Sequence, residues 1–326
     1  MLKPLAPILT VASPPHIHCG RTIHRYMLDT LLALCPAVIM AVVIFGMNAL
    51  RVMALSCAVA VVTDVLCSHL MKREQAVNDW SSLLTGLLFA FLLPASTPWW
   101  LVLIGSSASI FLGKMIFGGL GSTPLCAPLV GWTLCRISWG DIMDTNATML
   151  HSQLPAPLQQ LKFFGLESIR SIEYSSLALG KQLGGLGEVH ILVMVLGGLF
   201  LLFRRHIRWS IPTGFILGLL LTAWIYFLID PTTYAPPFFH LMAGGALFGA
   251  FFLATDPASS PIGTIPSLLF GFMAGAMVII IRVYGIYPDG VPFAILLANL
   301  FTPLLDRIRP KPFGGPYSFE TTEDSA

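Results

Sequence analysis

Two stretches of this chain end in the same way. Residues 84–98 read LTGLLFAFLLPASTP and residues 241–261 read LMAGGALFGAFFLATDPASSP; in both, a glycine-containing apolar run closes on Pro-Ala-Ser-x-Pro. The offset from Pro94 to Pro257 is 163 residues, half of the 326-residue chain. Self-similarity at half the chain length predicts one folding unit used twice. The copies differ at one place: Asp256 precedes the proline in the second, where the first has Leu93.

The repeated unit belongs in a bilayer. The chain is 56% hydrophobic and 10% charged, with a mean hydropathy of +0.80, whereas a soluble domain carries about 25% charge. The few cations stand between apolar runs, so a net charge of +2 points to no nucleic-acid partner. A spanning helix needs about 20 apolar residues. Spans or short apolar segments are expected at 29–47, 49–70, 81–93, 98–116 and 124–139, then at 189–203, 211–229, 238–255, 265–283 and 291–305. The only long polar stretch between them is 140–188.

The cations test this count, because cytoplasmic connections collect Lys and Arg. With the N-terminus in the cytoplasm, that side receives Lys3, Arg21, Arg25, Lys72, Arg73, Lys114, Arg204, Arg205, Arg208, Arg307, Arg309 and Lys311. The other side receives Arg51, Arg136, Lys162, Arg170, Lys181 and Arg282, a split of 12 to 6 among 18. Five spans per unit is odd, so the second unit enters the membrane upside down. The expected fold is an all-α polytopic membrane protein, ten transmembrane segments arranged as two inverted five-helix repeats with short broken helices. Its divisions are a cytoplasmic arm (1–28), the first repeat (29–139), an extracytoplasmic loop (140–188), the second repeat (189–306) and a cytoplasmic tail (307–326).

Paired short or Gly/Pro-interrupted segments mark the central site of inverted-repeat folds. Here they are 81–94 with 238–257, and 118–128 with 285–292. Carboxylates at membrane depth are functional candidates, so Asp256 and Asp289 are the expected ion or cofactor contacts. For Asp256 the plainer reading is a helix-end carboxylate satisfied by its own turn; for Asp289, in Tyr-Pro-Asp-Gly, it is a turn residue. Asp64 and Asn299 lie inside apolar runs, Asp64 as an expected buried helix contact. His16, His18 and Cys19 lack the remote second ligand pair of a structural zinc site, so no metal is expected. The glycine runs at 118–121 and 184–187 lack the Lys-Ser/Thr ending of a phosphate loop. Arg204, Arg205 and Arg208 read as a topology anchor.

Several motifs, in order along the chain, resemble a known family. They are Ser13-Pro14-Pro15-His16-Ile17, Gly118-Gly119-Leu120-Gly121 with Pro124, Arg208-Trp209-Ser210-Ile211-Pro212, Ala254-Thr255-Asp256-Pro257, and Tyr287-Pro288-Asp289-Gly290-Val291-Pro292-Phe293-Ala294. Together they are similar to the D subunit of Rnf-type complexes and to the B subunit of the Na⁺-translocating NADH:quinone reductase. The resemblance implies a multi-pass subunit of the bacterial inner membrane with both termini cytoplasmic. Its partners would be the other subunits of a complex that couples ferredoxin and NAD chemistry to Na⁺ or H⁺ transport. It also implies FMN, joined through its phosphate to a threonine in the outer loop, and leaves room for a second, non-covalent flavin. Matching the downstream Pro-Leu-x-x-Leu-Lys puts the acceptor position at Ala156, which has no hydroxyl. Thr148, in Thr-Asn-Ala-Thr-Met-Leu, is an alternative acceptor; the departure at Ala156 otherwise implies a member that has lost covalent FMN or holds a flavin non-covalently. The residues themselves leave a small-solute channel or transporter open, and the resemblance leaves a redox-silent scaffold subunit open.

Overall fold

The computed structural model describes residues 22–72, 79–143, 156–169, 172, 174–178, 180, 182–188 and 191–308, and the regular structure among them is helical throughout. Helix α1 (Ile23–Phe45) starts six residues before its expected span. The Thr22 hydroxyl accepts the N–H of Arg25 at 3.3 Å, and this cap starts the helix in polar sequence ahead of the apolar run. It ends at Gly46, whose φ of +66° turns the chain directly into α2 (Met47–Leu70). On α1, Leu32, Ile39 and Val43 are exposed at helical spacing. A stripe of that kind faces lipid.

The next elements are α3 (Ser81–Phe91), α4 (Trp99–Ile110), a π-helical turn (Phe111–Met115) that continues α4, and α5 (Ala127–Ser138). Two loop helices follow, α6 (Pro157–Phe164) and α7 (Tyr174–Ala178). The second half holds α8 (Ile191–Phe203), α9 (Ser210–Ile229), α10 (Pro237–Met242), α11 (Ala246–Phe248) with its π continuation Gly249–Leu253, α12 (Thr264–Tyr284) and α13 (Val291–Leu305). Helices α1, α2, α9 and α12 are long and apolar enough to cross a membrane.

The segment expected to be interrupted, 238–257, is broken. Gly244 takes φ +70°, and a β-carbon there would lie 2.5 Å from Leu158 Cδ1. Only glycine suits a left-handed backbone this crowded, so Gly244 separates α10 from α11.

Within each half the long helices pack on one another and on the short one. Helix α2 lies against α3 and α4, and α9 lies along α12. The α9–α12 seam is built from Gly214 and Gly218 facing Gly271 and Gly275. A β-carbon on Gly218 would meet the Phe272 carbonyl oxygen at 2.1 Å, and one on Gly275 the Phe215 oxygen at 2.0 Å. Small residues four apart on both helices let two backbones touch, which is how membrane helices pack without a hydrophobic driving force between them.

The two short helices pass one another in opposite directions. The end of α3 (Leu92, Pro94) and the bend before α11 (Gly244) line one cavity. Nearer the start of α3, Leu84 and Leu88 line another cavity with Phe251, Thr255 and Asp256 from the far end of the α11 segment. Phe91 and Phe248 meet edge to face at 5.9 Å between them.

Candidate functional site

Helix α3 stops inside the bundle, and its last carbonyls need donors. The backbone N–H of Gly187 donates to Phe91 O at 2.8 Å, that of Leu186 to Leu93 O at 3.0 Å, and the Trp132 indole to Leu92 O at 3.1 Å. The end of the long loop is thereby held against α3. That contact brings Glu188 in, its carboxylate accepting the N–H of Gly185 at 3.0 Å.

Facing it is Asp289. Its two oxygens have different partners. One accepts from Arg282 Nη2 at 2.9 Å and the other from the backbone N–H of Gly245 at 3.0 Å. The carboxylate thus sits at the start of the α11 segment, where unpaired N–H groups favour negative charge. Arg282 is buried and also donates to the carbonyls of His240 (2.5 Å) and Ala243 (3.0 Å). One guanidinium therefore fixes the bend and the carboxylate together. Across the cavity, Arg136 lies over the Tyr287 ring at 5.0 Å. Lys162 of α6 donates to the carbonyls of Gly285 and Tyr287, tying the loop to the same turn. The cavity between them has a volume of about 90 Å³. Withdrawal from water pushes the Glu188 carboxyl up to about 8, and the charge of Asp289 pushes the same way; the Gly185 N–H and the two arginines oppose them. Burial lowers the Lys162 ammonium.

Ala156 lines this cavity beside Asp289, buried at the start of α6. Thr148 lies outside the described residues, as do His16, His18 and Cys19. Asp256 is not part of this site. It lies at the other end of the α11 segment, where its carboxylate accepts the Ser259 hydroxyl at 2.9 Å. Beside it is an apolar cavity of about 300 Å³ lined by Ile23, Tyr26, Met27 and Leu120. Nearby, Asp29 of α1 binds Arg204 at 2.8 Å and His206 at 2.5 Å, so Arg204 is a tertiary contact as well as a surface cation. Asn299 is buried in α13 with neither amide atom hydrogen-bonded.

Asp64 is fully buried, as expected, and pairs with Lys114 at 3.2 Å. Sequence reasoning missed that partner, and it missed Glu188 and Arg282. Arg282 carried a usable signal, a cation in the last turn of an apolar helix. The other two became visible only with tertiary contacts.

Fold and site define a class: a polytopic, all-helical membrane protein with two short antiparallel helices in its interior, each end near a buried or partly buried carboxylate. The sequence profile of the NQR2, RnfD, RnfE family matches residues 10–314, and the chain belongs to that family. It is 34% identical over 319 residues to the D subunit of the proton-translocating ferredoxin:NAD(+) oxidoreductase complex of Clostridium ljungdahlii, covering 94% of this chain and 96% of the relative. It is 36% identical over 302 residues to the D subunit of the Na(+)-translocating ferredoxin:NAD(+) oxidoreductase complex of Acetobacterium woodii, covering 92% and 93%. To the D subunit of the ion-translocating oxidoreductase complex of Yersinia enterocolitica it is 34% identical over 345 aligned positions, covering 94% and 98%.

Proposed function

We propose that this chain is the membrane subunit of an ion-translocating ferredoxin:NAD-type oxidoreductase complex of the bacterial cytoplasmic membrane. It is built as two inverted five-helix repeats with both termini cytoplasmic. The observation that carries the functional reading is the family match over residues 10–314; the antiparallel passage of α3 and the α11 segment, with Glu188 and Asp289 at one end of the pair and Asp256 at the other, supports the inverted arrangement. Corresponding helices support it by their spacing. Helices α2 and α9 start at 47 and 210, 163 apart; α4 and α12 at 99 and 264, 165 apart; α5 and α13 at 127 and 291, 164 apart. Asp289 and Asp256 are the proposed ion contacts on opposite sides, since carboxylates at the ends of broken helices suit a cation.

Position 156 does not fit a covalently held FMN. Ala156 has no hydroxyl to esterify. A covalent flavin would then need Thr148 of the same loop; the alternative is a chain that has lost covalent FMN or holds a flavin non-covalently. The test uses the purified complex. Flavin fluorescence is expected on this subunit after denaturing electrophoresis. It should be lost in Thr148→Val and kept in Thr145→Val. A subunit with no flavin in the native complex, together with solute flux into liposomes containing this chain alone, would favour a channel and overturn the assignment.

A further inference from the structure

A second buried polar cluster lies at the start of α3, far along the chain from the site above. The Lys114 ammonium donates to three oxygens: Ser81 Oγ at 2.9 Å, Ser82 Oγ at 3.2 Å and Asp64 Oδ1 at 3.2 Å. The Ser82 hydroxyl donates in turn to Asp64 Oδ2 at 2.5 Å. All four residues are buried, with the side chains of Lys114 and Asp64 4% and 1% exposed. The three donors of an ammonium group are thus all used, each on an oxygen.

An oxygen-only shell with one carboxylate is the donor set that a hard cation takes. We propose that Asp64, Ser81 and Ser82 form a binding site for an alkali-metal cation, with Na⁺ as the ion tested, and that the Lys114 ammonium occupies it as a tethered substitute. Two further observations favour a site over a static ion pair. Lys114 sits in the π-helical turn Phe111–Met115; such turns hold an extra residue that can shift register, and they recur at functional sites. From the cluster, a seam of hydroxyls runs along the α2–α4 contact. Thr63 donates to Ser107 at 3.4 Å, and Ser56 meets Ser106 at 2.9 Å and donates to the Gly86 carbonyl at 2.6 Å. A cation released from the lysine's place would find oxygen ligands about two turns deeper into the bundle. The helix ends agree with the charges. The start of α3 favours the Asp64 carboxylate, and the end of α4 favours a cation.

The experiment measures thermal unfolding of the purified complex in NaCl against choline chloride at constant ionic strength. The variants are Lys114→Met, which removes the ammonium, and Lys114→Met combined with Asp64→Asn. Lys114→Met is expected to show saturable protection by Na⁺ at a midpoint at least about tenfold below that of the wild type, and the double variant should lose it. An unchanged midpoint in a folded Lys114→Met protein overturns the proposal. Where Lys114→Met does not fold in choline, recovery of folded protein in NaCl supports the site. Failure in both salts, with the double variant folded in both, shows a structural ion pair and overturns it.

Discussion

Glu188 and Asp289 stand close enough that a β-carbon on Gly245 would lie 3.2 Å from an atom of each. Asp289 has a guanidinium bonded directly to it, whereas the Glu188 carboxylate accepts a backbone N–H. Burial, reinforced by the charge of Asp289 and only partly opposed by that N–H, holds the Glu188 carboxyl well above the usual carboxylate range, at about 8 against an ordinary 4.5. Between those values the folded protein holds a proton that the unfolded chain has released, so stability falls as pH rises and levels off above about 8. The slope approaches at most about 1.4 kcal/mol per pH unit for one group. Glu188→Gln keeps an oxygen for the Gly185 N–H but does not titrate. Its unfolding temperature is expected to fall less between pH 5 and 8 than that of the wild type; parallel curves would count against the assignment. At this scale the sequence was legible where chemistry is local. Tyr-Pro-Asp-Gly announced the turn at Asp289, and a lone carboxyl among valines announced the buried Asp64. It was silent where partners are remote: Lys114 is 50 residues from Asp64, and the Gly245 N–H is 44 from Asp289. No local pattern encodes such pairings.

The helices differ in what fixes them. Helices α9 and α12 are joined by backbone contact through four glycines, whereas α2 and α4 meet through hydroxyls. The α9–α12 seam therefore has no room for a side chain. Gly275→Leu is expected to lower stability at or beyond the upper end of the ~1–3 kcal/mol typical of overpacking, because the obstacle is the Phe215 carbonyl and not a mobile side-chain tip. Leu217→Ala, on the lipid-facing side of the same seam's first helix, should change little. Unfolding midpoints in detergent decide the matter, and equal effects would sink the role given to the seam. The glycine spacing was present in the sequence, but its meaning depends on two helices presenting it to each other. The break at Gly244 is similar. The Gly-Gly pair inside an apolar run marked 238–257 as an interrupted segment, but not which residue breaks it or why. Crowding by Leu158, from a loop helix 86 residues earlier, restricts that position to glycine.

For the whole molecule, the recurrence of Pro-Ala-Ser-x-Pro at half the chain length was the most legible sequence feature, because it is local and its offset needs only counting. The inversion proposed for the second unit came from charge alone, and α3 and the α11 segment pass one another in opposite directions. If the units are inverted, the two cavities at the ends of that crossing open to opposite sides of the membrane. Leu120 lines the cavity of about 300 Å³ beside Asp256, at the same end of the crossing, and Leu183 lines the Glu188 cavity. Single cysteines at these positions, Leu120→Cys and Leu183→Cys, give a direct measurement with a membrane-impermeant thiol reagent. The native cysteines Cys67, Cys126 and Cys135 are buried, and Cys35 is exposed on the α1 span, so unsubstituted protein supplies the background. Leu183→Cys should label in right-side-out vesicles, and Leu120→Cys in inverted ones. Labelling of both from one side would place both cavities on the same face. An inverted repeat cannot do that, because turning one five-helix unit over carries the end of its short helix to the far side of the bilayer.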